Sequence, residues 1–128
     1  MSRSNEAVVN AALALDEESV DYLVEMRPGE FIFFMEKAGR YNRMGDMGEM
    51  ARRLVEAQPE GEDSVKFKVG NEGSRVIYLT YRRSQRSGPD VVSAWKGRCL
   101  QIAEEAGADE FEQNSGPGNK HEIRIWRD

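Results

Sequence analysis

The clearest pattern in the chain is an alternation of apolar and polar residues that begins at position 65. Residues 65–69 read VKFKV, and residues 75–82 (RVIYLTYR) again have the composition of a strand. A period of two is typical of a strand with one face on the core and the other on solvent. Because residues 70–73 (GNEG) supply turn-forming residues between these runs, the pattern predicts a β-hairpin.

A period of about 3.6 residues predicts helices on both sides of this hairpin. Between residues 46 and 57 the apolar positions form one helical stripe, and charged residues lie opposite it. A longer helix is predicted from Val91 to Ala106, where Trp95 and Cys99 belong to one apolar face. Gly107 is a suitable end for this helix, because glycine readily adopts the left-handed conformation that closes helices.

Residues 30–41 fit two interpretations. The run FIFF at 31–34 has the composition of a strand. The apolar residues of this segment also recur at i, i+3, i+4 and i+7, and Pro28 suits the first turn of a helix. We favour the helix.

The two ends of the chain complete the predicted elements. Asn5 to Met26 reads as helix, bent or broken near Asp16, which is able to cap a second helix. Residues 114–119 (NSGPGN) predict a loop. Residues 121–126 then alternate like a strand.

This order of elements predicts an α+β fold, with N-terminal helices followed by the hairpin, a long helix and a final strand. We expect a small, mostly antiparallel sheet of about three strands with helices packed on it. The acidic loop at 58–63 is the one candidate boundary, between a helical part (1–58) and a hairpin-helix-strand part (64–128). Since neither part is large enough for an ample core, the sequence predicts one domain over residues 1–128.

The composition predicts a soluble, cytoplasmic protein that does not engage a membrane. Hydrophobic residues make up 39% of the chain and charged residues 32%. No run approaches the ~20 apolar residues of a membrane span, and the N-terminus lacks the long apolar run of a secretory signal. A single cysteine, Cys99, cannot form an internal disulfide, which favours a reducing compartment.

The net charge of −5 conceals a strongly basic segment within an acidic chain. Residues 64–101 carry 8 basic and 2 acidic side chains, whereas residues 1–63 carry 7 and 14, and residues 102–128 carry 3 and 7. Such asymmetry informs on partners rather than on fold. It predicts that the basic segment meets an anionic partner.

No motif in the chain identifies an enzyme. The sequence lacks the glycine-rich signatures of phosphate-binding and dinucleotide-binding loops. The one histidine, His121, has no sequence neighbours that suggest a metal site or a positioned acid–base partner. Cys99 lies on the apolar face of a predicted helix, where cysteine acts as a small buried hydrophobe. We therefore predict a non-enzymatic protein without catalytic, cofactor-binding or metal-binding residues.

The predicted hairpin gathers basic residues on one surface. If the apolar residues of 65–69 face the core, the two lysines between them face outward. The residues assigned to this surface are Lys66, Lys68, Arg75, Tyr81, Arg82, Arg83 and Arg86, with Tyr81 as the weaker candidate. Such a face suits nucleic-acid phosphates and a stacked base. The alternative interpretation is a charged strand edge that protects the sheet from aggregation.

The working hypothesis is a non-enzymatic binding or regulatory module for an anionic partner, either a nucleic acid or an acidic protein surface. A second hypothesis is a protein-interaction or inhibitor domain that acts through acidic N-terminal helices and the Phe31–Met35 cluster. That hypothesis requires the aromatic residues to form an exposed, contiguous patch. A third is a small enzyme whose site is assembled from scattered acids with Arg43, His121 or Tyr41.

Overall fold

A computed structural model describes residues 22–38, 47–60, 64–71, 75–84, 88–108 and 110–126 of the chain. These residues form three helices and one sheet, which confirms the predicted α+β class. The elements in chain order are β1 (Tyr22–Met26), α1 (Pro28–Ala38), α2 (Met47–Glu56), β2 (Val65–Asn71), β3 (Arg75–Arg82), α3 (Pro89–Ala106), β4 (Glu110–Gly116) and β5 (Lys120–Trp126).

The sheet has the strand order β1-β2-β3-β5-β4, and every neighbouring pair is antiparallel. The predicted hairpin forms β2 and β3, and the predicted final strand forms β5 next to β3. The sheet of the described residues therefore has five strands instead of the expected three, because β1 and β4 extend it at its two edges.

The predictions for the segments that form β1 and β4 were wrong. Residues 22–26 were expected to be helical, but they pair with β2, and Val24 lies opposite Val69. The rest of the helix predicted over Asn5–Met26 lies outside the described residues. The predicted loop at 114–119 begins inside β4, and only residues 117–119 form the turn to β5. In both cases hydrogen bonding to a neighbouring strand decides the conformation of a segment with weak local preference.

The described part of the ambiguous segment, residues 30–38, is helical as predicted and belongs to α1. Its N-terminus has the glutamate half of a capping box, because the backbone N–H of Arg27 donates to Oε1 of Glu30 at 2.8 Å. The backbone N–H of Phe31 donates to the carbonyl of Arg27 at 2.9 Å, which starts the helical ladder. Pro28, the first helical residue, has no N–H to leave unsatisfied.

The core lies between the three helices and one face of the sheet. Phe31 of α1 stacks on Phe67 of β2 with ring centroids 4.7 Å apart, and Trp95 of α3 meets Tyr81 of β3 edge-on at 5.4 Å. Helix α2 packs on α1 and α3, and Arg53 pairs with Glu105 between α2 and α3. All described helices therefore cover the same face of the sheet.

The Phe31–Met35 cluster belongs to this core. Phe31, Phe34 and Met35 are each at most 1% exposed. Ile32 and Phe33 are half-buried and pack against the core. The cluster is thus not the exposed patch that the second hypothesis requires.

Candidate anion-binding surface

The sheet register determines which side chains share the face opposite the helices, which we name the outer face. Position 66 lies beside 80, and position 80 lies beside 122, so alternate residues of adjacent strands point the same way. Its described polar, charged and aromatic side chains include Glu25, Lys66, Lys68, Tyr78, Thr80, Arg82, Glu112, Asn114, Lys120, Glu122, Arg124 and Trp126. No helix of the described residues lies on this face.

Four cations converge at one end of the outer face. Lys66 and Lys68 of β2, Arg82 of β3 and Lys120 of β5 line a depression of about 640 Å³. Among the described residues Glu25, Ser64 and Thr80 also line it, so this part of the lining has four cationic groups and one carboxylate. We name this feature the basic depression.

Two of these cations lie directly opposite each other on adjacent strands. Arg82 of β3 is the register partner of Lys120 of β5. Like charges at such a position destabilise a sheet unless an anion offsets their repulsion. The pairing of Arg82 with Lys120 therefore does not by itself stabilise the sheet.

Thr80 also lines the depression, and in the register of the sheet it lies between Lys66 of β2 and Glu122 of β5. Its Oγ1 atom is buried, and it has no hydrogen-bond partner in the part of the chain that the structure describes. A buried hydroxyl without a partner costs about 1–3 kcal/mol. Like the arginine–lysine pair, this group makes the depression a locally unfavourable part of the fold.

Aromatic residues lie towards the other end of the outer face. The guanidinium of Arg124 is 3.7 Å from the ring centroid of Trp126 and 5.9 Å from that of Tyr78. Trp126 is the register partner of Val76, six residues along β3 from Arg82. At the rise of a strand this separation is about 20 Å. The outer face thus changes from cationic to aromatic along its length.

The structure brings together only some of the residues assigned to the predicted surface. Lys66, Lys68 and Arg82 line the basic depression. Arg83 follows β3 and lines a different concavity, on the helix side of the sheet. Arg75 begins β3, at the opposite end of that strand from Arg82, and Arg86 lies outside the described residues.

Tyr81 does not belong to the surface. Its side chain is completely buried against Trp95, so it cannot stack on a partner. The reason is the register, since Tyr81 lies opposite the core residue Val65, whereas Tyr78 lies opposite Lys68. Tyr78 is the tyrosine of this strand that shares the lysines' face.

Sequence reasoning missed Lys120, Arg124 and Trp126. The signal was present, because buried Ile123 and Ile125 alternate with these outward residues. The alternation does not predict that β5 pairs with β3. This pairing brings these residues next to the hairpin. The part of the candidate surface that β5 contributes therefore depends on a contact between distant parts of the chain.

The described residues offer little support for thiol or metal chemistry. Cys99 is buried in the core, as predicted, and burial raises the pKa of its thiol to about 12, while the nearby Arg98 lowers it by a smaller amount. Within the described ranges, no three His, Cys, Asp or Glu residues are grouped so as to hold a metal ion.

Comparisons with known proteins identify no similar protein. The chain was compared with protein-family models, with curated proteins and with solved structures. None matches. Among the described helices, none combines the length and the apolar character needed to cross a membrane.

Proposed function

We propose that the chain is a non-catalytic binding or regulatory module for an anionic macromolecule, and that a single-stranded nucleic acid is the partner that suits its outer face best. The observation that carries this proposal is the convergence of Lys66, Lys68, Arg82 and Lys120 on the basic depression. Lysine and arginine side chains that contact phosphates displace the counterions condensed on a nucleic acid, and the release of these ions drives binding. The single buried cysteine suits a reducing compartment such as the cytoplasm.

The position of the cations supports binding over protection of a sheet edge. Charges that protect against aggregation are needed on edge strands, which have unpaired backbone groups. Among the described strands β1 and β4 are the edges, whereas β2, β3 and β5 each pair on both sides. The four cations of the depression therefore lie on strands that need no such protection.

The aromatic end of the same face favours a nucleic acid over an acidic protein. Single-stranded nucleic acids bind where cations follow the backbone and aromatic rings stack on bases. Trp126 and Tyr78 provide rings on the outer face, and Arg124 adds a guanidinium between them. An acidic protein surface would use the cations but would leave these rings without a role.

The test is a salt titration of binding to fluorescein-labelled oligothymidylate and oligouridylate, followed by fluorescence anisotropy. Replacement of both lysines of β2 (Lys66→Gln with Lys68→Gln) removes two phosphate contacts. We expect weaker binding and a decrease of about 1.4 in the slope of log affinity against log salt, because each contact to a single strand contributes about 0.7. The charge-matched control is Lys37→Gln with Arg98→Gln, two exposed cations of the helical layer, which we expect to leave affinity and slope unchanged.

A second variant separates the two classes of partner. Trp126→Leu removes an aromatic ring but no charge, so we expect an affinity loss of about tenfold at an unchanged salt slope, since stacking contributes about 1–3 kcal/mol per base. Equal losses in the lysine variant and its control would contradict the proposal. Binding of polyglutamate that exceeds oligonucleotide binding, together with no effect of Trp126→Leu, would identify an acidic protein as the partner instead.

A further inference from the structure

A second concavity lies at the same end of the sheet but on the helix side. It has a volume of about 360 Å³ and is lined by Arg83, Val92, Ser93, Lys96, Gly116, Asn119 and His121. We name it the His121 pocket. Its residues come from the end of β3, from the N-terminal half of α3, and from the end of β4 with the start of β5. None of its described lining residues belongs to the basic depression.

Hydrogen bonds link several of the polar groups at this pocket to one another and to the adjacent Ser115. Nδ1 of His121 is 3.1 Å from Oγ of Ser115, and Nζ of Lys96 is 3.5 Å from the same oxygen. Arg83 is held to the turn between β4 and β5, because Nη2 donates to Oδ1 of Asn119 at 3.3 Å and the backbone N–H donates to the Asn119 carbonyl at 3.0 Å. Three different strands and one helix thus fix the positions of these groups.

The electrostatic setting of the pocket favours an anion. Lys96 of α3 and Arg83 after β3 are the charged residues that line it, and no carboxylate among the described residues does so. The pKa of His121 lies below its ordinary value of 6.5, because burial, Lys96 and Arg83 each disfavour the protonated ring, in decreasing order. The neighbours of His121 on β4 and in the turn, Ser115 and Asn119, are uncharged.

We propose that the His121 pocket binds the dianionic phosphate group of a phosphate monoester, and that His121 takes up a proton when this group binds. Phosphate offers three strong acceptor oxygens, and the pocket offers the donors of Arg83, Lys96, Ser93 and the protonated imidazole. The inference is independent of the proposed function, because it concerns other residues on the other side of the sheet.

The sign of the pH dependence follows from the charges. A bound dianion offsets the cations that disfavour protonation, so it raises the pKa of His121. By linkage, a dianion whose own charge does not change binds most tightly below the pKa of the free state. Its affinity decreases as the pH rises through the pKa of the bound state.

The experiment observes the imidazole of His121 by NMR during a pH titration, in sulfate and in chloride at equal ionic strength. His121 is the one histidine of the chain, so its ring signals need no assignment by mutation. Sulfate serves as the probe because it remains a dianion throughout the titration. We expect sulfate to raise the pKa of His121 by about 1, which corresponds to about tenfold tighter binding to the protonated ring. The same pKa in sulfate and chloride would overturn the proposal.

A pair of variants tests whether the pocket residues are responsible. Lys96→Gln should weaken sulfate binding by about fivefold, because it removes one charge-assisted contact. It should also raise the pKa of free His121, because Lys96 is one of the causes that lower it. Lys37→Gln, on α1, is the control and should change neither quantity. A Lys96→Gln variant that raises the pKa of the free ring but binds sulfate as before would also overturn the proposal.

The source of the phosphate group is distinguished by comparing three probes: inorganic phosphate, a nucleoside 5′-monophosphate, and oligothymidylate with and without a 5′-phosphate. Tighter binding of the 5′-phosphorylated oligonucleotide, lost in Lys96→Gln, would indicate that the pocket takes the end of a nucleic acid. Equal binding of both oligonucleotides, with a response of His121 to inorganic phosphate, would indicate a small phosphorylated ligand. The lysine variant of β2 separates these results from the proposed function, since it leaves the His121 pocket intact.

Discussion

Cys99 illustrates how strongly burial controls the chemistry of a single residue. The thiol lies in the core on α3, and its pKa of about 12 is set mainly by desolvation, with a smaller opposite contribution from Arg98. Thiolate is the reactive form, so a raised pKa makes the folded chain unreactive at neutral pH. The sequence allowed this prediction because the apolar periodicity of α3 includes position 99.

We expect the folded protein to resist iodoacetamide at about pH 8, with a rate of modification about a thousandfold below that of the unfolded chain, because only a minute fraction of the buried thiol is ionised. The reaction is run with and without urea and quenched at successive times, and mass spectrometry of the samples measures both rates. The same chain in urea serves as the control, since unfolding restores the ordinary pKa. Rapid modification without urea would show that Cys99 is accessible.

At the scale of elements, helix α3 contains two glycines with opposite roles. Gly97 is exposed in the helix interior, and a Cβ at this position would meet no atom within 4 Å. Gly107 ends the helix with φ of 90°, and its N–H donates to the carbonyls of Ala103 and Glu104. A left-handed residue of this kind strongly favours glycine.

Gly97→Ala should therefore stabilise the protein by about 0.5–1 kcal/mol, because alanine loses less backbone entropy in a helix. Gly107→Ala should destabilise it by about 1–2 kcal/mol, the cost of a Cβ in the left-handed conformation. Urea denaturation followed by circular dichroism measures both changes. Each variant is the control for the other, and effects of the same sign would contradict the assigned end of α3.

The elements also show where sequence reasoning succeeded and where it could not. The hairpin, α2 and α3 have a clear period, which is a local property and was read correctly. β1 is a five-residue run (YLVEM) that fits a strand or a helical turn, and β4 (EFEQNSG) is mostly polar. Both become strands because a neighbour supplies hydrogen-bond partners, and no local pattern contains that information. The same limit applies to the candidate surface, where Lys66 and Lys68 follow from alternation but their proximity to Lys120 does not.

Across the whole molecule, the two faces of the sheet have separate roles. One face forms the core with three helices, and the other gathers cations and aromatic rings. Because stability arises mainly from the core side, substitutions on the outer face can be tested for binding without loss of the fold. Phe67 is central to the core, since it is completely buried and stacks on Phe31.

Phe67→Ala should lower the free energy of unfolding by about 3–5 kcal/mol, because it removes a large buried ring and leaves a cavity. Phe33→Ala is the matched control, since Phe33 is half-buried at the margin of the same core. We expect the control to cost clearly less. Chemical denaturation of both variants measures the difference, and a larger cost for Phe33→Ala would show that the core is centred elsewhere.

The turn formed by residues 117–119 separates the two candidate sites. A Cβ at Gly118 would lie 3.7 Å from Nη1 of Arg82, and the neighbouring Arg83 is hydrogen-bonded to Asn119. Two arginines that are adjacent in the chain thus serve opposite sides of the sheet, because consecutive residues of a strand point in opposite directions. One extra residue inserted between Tyr81 and Arg82 would exchange their sides. The basic depression would lose its guanidinium, whereas the His121 pocket would receive the displaced Arg82 in place of Arg83, so the arginine that reaches each site depends on the parity of a single strand.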